Sequence, residues 1–345
     1  MTPFGPLFSR RTLLTAALTA PLAATLSACS RTAEAYHAQI LVFGTQVDIQ
    51  LYHPQQTQIN QAIGKINRDF QQFHHEWHAW EKGGILSRIN QAIAQQQPIE
   101  VADSVRDFIL KSQRLCQQSD GLFDPGIGYL IALWGFHGEQ WQGPPPSAAA
   151  IHSWLQSRPS IQDLYFQGNQ LLSHNPQVQL DFGGNAKGLA LDMALDSLRQ
   201  AGIEQALVSI GGDMKALGAK SENQPWRVAI SDPQHPSQAR AALALGDNES
   251  VVTSGTYQRF FEWQGQRFSH ILNPNTGYPA NGFASVTVIH PDATTADAAA
   301  TALLIAGPER WQKIAQQMGI EQVFCLDYDN QIAQTKAMEK RVKLI

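Results

Sequence analysis

Runs of basic residues are missing from this chain. The formal net charge is −4, from 25 Lys and Arg against 29 Asp and Glu. Nowhere do the cations cluster as a phosphate backbone would demand, so the sequence argues against a nucleic-acid partner. Cysteine is scarce as well, with three in 345 residues, and none stands in a redox or zinc motif. No H-E-x-x-H, no G-x-G-x-x-G and no P-loop spacing occurs, which leaves zincin, dinucleotide-fold and Walker-type chemistry without support. There is no internal repeat, no low-complexity tail and no regular βαβ alternation. What is present is 43% hydrophobic content, ample for a large core in one or two domains.

The first residues read as an export signal. Ser9-Arg10-Arg11-Thr12-Leu13-Leu14 opens an uncharged stretch that lasts to Arg31 and closes with Leu26-Ser27-Ala28-Cys29. A basic start, an apolar middle and small residues before the last Cys make a secretory signal. The closing tetrapeptide resembles the bacterial lipobox, in which the Cys is acylated and becomes the mature N-terminus. The division expected is a signal peptide over 1–28, a tether over 29–36 and a single domain over 37–345. The protein is then exported and held by a lipid on Cys29 to a bacterial membrane, facing the periplasm. Adjacent Arg10 and Arg11 fit either twin-arginine or ordinary export. Cys116 and Cys325 leave a disulfide open in an oxidising compartment, but the expectation is two buried thiols.

Along the rest of the chain, Val47, Ile49 and Leu51 alternate as a strand. Ile59, Ile63, Ile66, Phe70 and Phe73 fall on one helical face. His74 to Asn90 reads as aromatic, His-rich and irregular. Val105, Phe108, Ser112 and Leu115 line another helix ending at Asp120-Gly121. Short strands are expected near Gln170–Leu172, Val178–Phe182, Leu207–Ile210 and Val228–Ile230 and at Val286 and Val288, with a helix through Leu191, Leu195 and Leu198. Helical blocks mixed with strand–turn–strand pieces give an α+β fold with a mostly antiparallel sheet.

Several places carry chemistry. Asp297 and Thr301 stand four apart on an Ala-rich helix, so two hard oxygens share one face. Such a pair suits Mg²⁺ against a phosphate, although a carboxylate near a helix start is also ordinary stabilisation of that helix. Gly183-Gly184-Asn185-Ala186-Lys187-Gly188 enters a helix with small residues and a cation, either as a phosphate cradle or as a plain tight turn. Gly211-Gly212-Asp213 makes room for a ring or a diphosphate, or closes a hairpin. His270, with Ser254 and Tyr257 upstream, is a candidate base or phosphate contact. His74, His75 and His78 lack a zinc pattern. Trp77 and Trp80 fit packing, or a surface on which an aromatic ligand stacks.

Taken in order, these pieces resemble the ApbE family, the FAD:protein FMN transferases. The resemblance starts at Phe43-Gly44-Thr45 and continues through Leu86-Ser87-Arg88-Ile89-Asn90. It takes in Phe123-Asp124-Pro125, Leu133-Trp134-Gly135-Phe136, Leu180 to Gly188 and Val208 to Asp213. It ends with Thr253-Ser254-Gly255, Ser269 to Pro279, and Ala296-Asp297 with Thr301. The resemblance implies Mg²⁺-dependent cleavage of FAD, transfer of FMN to a Ser or Thr hydroxyl of a target protein, and release of AMP. It implies Mg²⁺ ligands at the Gly184 carbonyl, Asp297 and Thr301. It implies FAD contacts at Phe43, Trp80, Leu122, Phe123, Asp124, Asp181, Lys187 and Ile271, with His270 catalytic. The implied partners are flavoprotein subunits of Na⁺-translocating NADH:quinone reductase or Rnf type. Phe43 replaces the family's Met, Trp80 a common Tyr, and Gly126 a frequent Thr. Thr256 and Asn273 stand where Asp is common. Two other activities share these residues: an FAD pyrophosphatase giving FMN and AMP, and a non-catalytic flavin-binding lipoprotein.

Overall fold

A computed structural model describes residues 35–138, 140–221 and 224–345. The expected signal peptide, Cys29 and most of the tether lie outside the described residues. Ala35 and Tyr36, assigned to the tether, instead open the first strand. That strand, β1 (Ala35–Val42), turns through Phe43-Gly44 into β2 (Thr45–Tyr52). Helices α1 (Gln56–Trp77) and α2 (Ile85–Ala94) follow, so the irregular stretch expected over 74–90 shrinks to 78–84. The helical periodicity of α1 simply continues through His74 and His75, whose polarity masks it. Next come β3 (Ile99–Glu100), α3 (Asp103–Gln118), α4 (Gly128–Leu133), α5 (Ala148–Ser157), β4 (Leu164–Gln167) and β5 (Gln170–Ser173). The strand expected at Val178–Phe182 is absent. Val178, Leu180 and Phe182 are buried, but the segment makes only an isolated bridge, Gln179 to Ile127.

The second half runs α6 (Ala186–Gln200), β6 (Gln205–Ile210), β7 (Asp213–Leu217), β8 (Trp226–Ser231), β9 (Ala239–Leu245) and β10 (Ser250–Gly255). A small hairpin, β11 (Phe260–Trp263) and β12 (Gln266–Ser269), precedes β13 (Ser285–His290) and α7 (Ala293–Gln317). The chain closes with β14 (Gln322–Leu326), β15 (Ile332–Gln334), α8 (Lys336–Glu339) and β16 (Lys343–Leu344).

One eight-stranded sheet, ordered β1-β2-β6-β7-β10-β13-β14-β15, organises all of this, and every neighbouring pair in it is antiparallel. The fold is therefore α+β with a large antiparallel sheet. Period-two alternation assigns its faces. Ala206, Val208 and Ile210 of β6 pack with α1 and α6, and Val323 and Cys325 of β14 pack with α7. Leu207 of β6 and Phe324 and Leu326 of β14 point the other way, onto the small sheet β16-β9-β8 and Met338. Cys116 and Cys325 are free, buried thiols. No helix among the described residues is long and apolar enough to cross a membrane.

Candidate active site

The first half of α6 packs closely against the start of α7. At Gly188 a Cβ would collide with the Ala293 carbonyl oxygen, so only glycine lets the helices approach this closely. Asp297 thereby reaches the first turn of α6, where its Oδ2 accepts the Gly188 N–H at 3.0 Å. A helix start carries partial positive charge, which favours a carboxylate there. Asp297 does not serve its own helix in this way. Asp292 caps α7 through the Thr295 N–H at 2.7 Å, and Asp192 takes the Ala293 and Thr294 N–H groups, each at 3.1 Å. The plain helix-start role for Asp297 is thus filled by other residues.

Lys187 lies between two buried carboxylates. Its Nζ is 2.8 Å from Asp213 Oδ2 and 3.2 Å from Asp297 Oδ1. Asp213 begins β7 directly after the Gly211-Gly212 hairpin turn, where both glycines have positive φ, as a two-residue turn with mirror-image geometry requires. Its Oδ1 accepts the Thr253 N–H at 2.9 Å. Burial opposes the charge on Lys187, but the two carboxylates outweigh it and hold the ammonium above the usual lysine range. Burial pushes Asp213 up, against the pull of Lys187 and with the nearby Asp297 charge adding to it. Two carboxylates share one ammonium, so the acids of the cluster outnumber its one cation.

One turn beyond Asp297, the Thr301 Oγ1 is 3.1 Å from Ser254 Oγ. At Gly184 the space a Cβ would fill is 3.2 Å from the Phe123 ring and 3.6 Å from Thr301 Oγ1. The structure therefore brings Gly184, Phe123, Lys187, Asp297 and Thr301 together. A carboxylate, a hydroxyl and a carbonyl are the hard-oxygen chemistry that suits Mg²⁺. Among the described residues no three His, Cys, Asp or Glu side chains gather around one point, so a cation here would depend on hydroxyl and carbonyl oxygens as well.

From this polar end an aromatic row leads outward. Asp181 Oδ1 accepts the Gly183 N–H at 2.8 Å, and its Oδ2 is 3.1 Å from His137 Nε2. The His137 ring stacks on Trp80 with centroids 5.0 Å apart. Trp80 meets His78 edge-on at 4.5 Å, His78 meets His74 at 5.0 Å, and His74 meets Phe43 at 5.8 Å. Burial lowers the pKa of His78, with Glu81 opposing and His74 adding to the shift. Phe43 holds φ at 60°, in the left-handed region, and packs on Phe70 and Phe73. A bulky residue is costly there, and such strain tends to persist where the surroundings impose it. His75 stands apart from the row, beside Gly83 and Gly84.

His270 follows β12. Its backbone N–H and its Nδ1 both lie 3.1 Å from the Arg259 carbonyl oxygen. The ring therefore donates from Nδ1 and keeps the Nε2 lone pair free to take a proton. Burial, then the Arg259 charge, push its pKa down to about 4, with Lys187 adding to the shift and Asp181 opposing it. His270 is thus neutral at pH 7 and lies within electrostatic reach of the polar cluster.

Leu122 and Ile271 are buried beside Phe123 in one apolar cluster. Asp124 points elsewhere. Its Oδ1 accepts the Gly126 and Ile161 N–H groups at 2.7 and 2.9 Å, pinning that turn, and burial raises its pKa. With Gly121, Trp154, Arg158, Ser160 and Asn275, Asp124 lines a cavity of about 410 Å³. Sequence reasoning took Asp213 only as part of a turn and passed over His137. The signal for Asp213 was a carboxylate directly after a buried strand and two glycines. His137, the residue after Leu133-Trp134-Gly135-Phe136, had none.

A family model described as the ApbE family matches residues 43–324. The chain is 38% identical over 304 residues to an FAD:protein FMN transferase of Rhodobacter capsulatus, a match covering 88% of this chain but only 58% of that relative. It is 30% identical to the FAD:protein FMN transferase of Vibrio cholerae, covering 84% of this chain and 87% of the relative. The crystal structure of the ApbE protein from Thermotoga maritima superposes with a TM-score of 0.82 at 29% identity, covering 89% of this chain and 99% of that one. With the family model spanning most of the sequence and the fold shared nearly end to end, this chain belongs to the ApbE family.

Proposed function

We propose that this protein is an enzyme that transfers FMN from FAD to a Ser or Thr hydroxyl of a target protein, using Mg²⁺ and releasing AMP. The observation that carries the proposal is the junction of α6 and α7. There Lys187, Asp297, Thr301 and the Gly184 turn converge beside a helix N-terminus, where carboxylates outnumber the one ammonium. The relatives named above are FAD:protein FMN transferases, which supports the same activity here.

In this proposal the Gly184 carbonyl, Asp297 and Thr301 hold Mg²⁺, which supplies charge neutralisation at the diphosphate. Lys187 adds a fixed cation, and the α6 amides favour the anion. Phe43 and Trp80 border the flavin end, and Asp181 fixes its polar edge. Phe123, Leu122 and Ile271 form the apolar wall beside the Gly184 turn, and Asp124 shapes the turn that follows. His270 accepts the proton of the attacking hydroxyl at Nε2. The hydroxyl oxygen then bonds to the FMN phosphorus as the phosphoanhydride bond to AMP breaks. Such a transfer needs positioning and charge more than covalent protein chemistry.

The acceptors proposed are flavoprotein subunits of Na⁺-translocating NADH:quinone reductase or Rnf type. The proposed location is the periplasmic face of a bacterial membrane, anchored through a lipid on Cys29. The test uses the chain starting after Cys29, mixed with FAD, Mg²⁺ and a flavinylation-motif acceptor, and weighs the acceptor by intact mass spectrometry. A gain of one FMN that is lost in Asp297→Ala supports the transferase. An unmodified acceptor with FMN and AMP in solution would replace it with an FAD pyrophosphatase. Intact FAD would leave a flavin-binding lipoprotein.

A further inference from the structure

Resting on the reading of this site as an FAD site, we infer that His137 is a positioning residue for two flavin-facing groups at once. Its Nε2–H fixes Asp181, and its ring backs Trp80.

The sequence around His137 holds it rigidly. Trp134 and Phe136 are buried in one apolar cluster with Phe261 and Phe268. Trp134 Nε1 donates to the Gly277 carbonyl at 2.8 Å, and Gly135 turns the chain at φ 80°. Emerging from this anchor, the His137 side chain is only 12% exposed. Each of the two residues it touches also meets one other group. Asp181 has one oxygen committed to the Gly183 N–H, and its other oxygen meets His137. Trp80 sits on the irregular segment 78–84 and is 44% exposed. His78 meets the Trp80 ring edge-on, whereas His137 lies nearly flat against it, with an interplanar angle of 25°.

Ordering a large ring and a carboxylate before the ligand arrives removes that cost from binding. The Gly183 N–H holds the other oxygen of Asp181 independently of His137, so the turn that carries Gly184 keeps its own contact when His137 is lost. Loss of His137 therefore weakens capture of FAD and leaves the chemical step largely intact. The two arms are chemically separable, because Asn keeps a donor without the ring and Phe keeps the ring without a donor.

The experiment titrates FAD into wild type, His137→Ala, His137→Asn and His137→Phe without acceptor, and then measures turnover at saturating FAD. For His137→Ala the expected loss of FAD affinity is about ten- to thirtyfold, less than the full worth of a charge-assisted hydrogen bond plus a ring stack, because both contacts act on FAD only through the groups they hold. Turnover at saturation stays within about threefold, because uniform binding rather than transition-state stabilisation is removed. Asn and Phe each restore part of the affinity. A second readout needs no FAD: acrylamide quenching of Trp80, taken as the difference from Trp80→Phe, rises in His137→Ala. Unchanged FAD affinity in a folded His137→Ala overturns the inference, as does unchanged Trp80 quenching. Equal loss of affinity and saturated turnover in all three variants also overturns it. A wild-type chain that binds no FAD would instead overturn the FAD reading of the site, and the quenching experiment still decides the His137 contacts on their own.

Discussion

The polar and aromatic ends of the site are built on opposite plans. At the polar end, Asp213 and Asp297 are 3% and 2% exposed, each accepts a backbone N–H, and both share Lys187. Two helices and two strands fix those groups before any ligand arrives. At the aromatic end, Trp80 stands on an irregular segment and meets the rings of His78 and His137. Charge in a low-dielectric setting is expensive to misplace, so it is placed by backbone. Ring contacts are individually weak and tolerant of angle, so they suffice for recognition. The comparison teaches that substitutions at the polar end should destroy turnover, and those at the aromatic end should mainly alter affinity.

The strongest test of that division is Asp297→Ala. It removes the acceptor for Gly188 N–H and one of the two partners of Lys187, and FAD turnover should fall by about 10³-fold or more, the scale seen when preorganised electrostatic groups are lost. Release of FMN and AMP followed by chromatography measures it. Retained turnover would break the comparison at its centre.

Asp213→Asn keeps shape and the Thr253 contact but leaves Lys187 with one carboxylate. Because Lys187 keeps Asp297 as a partner and burial already disfavours the charged form of Asp213, the stability read from denaturant unfolding should change by less than about 2 kcal/mol. Turnover should fall all the same. A large drop in the unfolding midpoint would mean that the Asp213 charge is essential to the fold.

His270 sharpens the comparison through pH. Its pKa of about 4 lies below the ordinary 6.5, so it remains able to accept a proton through the mildly acidic range. The acid limb of turnover assigned to His270 should fall near pH 4, and His270→Gln should lower turnover by about 10²-fold or more as a lost general base. Stability has a matching sign. The unfolded imidazole binds a proton near 6.5 that the folded one refuses until about 4, so this contribution is full above 6.5 and is lost as pH falls through that window.

The smallest effect belongs to Phe43→Gly. Glycine relieves a left-handed cost of about 1–2 kcal/mol, while the lost packing on Phe70, Phe73 and His74 offsets it. The melting temperature should move by only a few degrees, with FAD affinity falling several-fold. A large loss of turnover at saturating FAD would show that the aromatic end also acts on the chemistry.

Much of the fold was legible because its signals are local. The alternation at Val47, Ile49 and Leu51 and the helical spacing of Ile59 to Phe73 each report one buried face. The segment Val178–Phe182 failed because alternating burial without a neighbouring strand looks the same in sequence as a strand. β1 was missed as a whole because exposed Leu41 between buried Ile40 and Val42 breaks the apolar–polar alternation. Asp297 and Thr301 were legible as a pair because one helix turn sets their spacing.

From the sequence alone came β2, much of α1, α3 and α6, the mostly antiparallel character of the sheet, and the oxygens and cations offered at Gly184, Lys187 and Asp297. These follow from periodicity, glycine and charge within a few residues of each other. Only the tertiary structure decided that Asp213 shares Lys187 with Asp297, and that His137 joins Asp181 to Trp80. Each of those contacts spans tens of residues of chain and depends on helix approach at Gly188 and on anchoring of Trp134, neither of which leaves a local periodic trace.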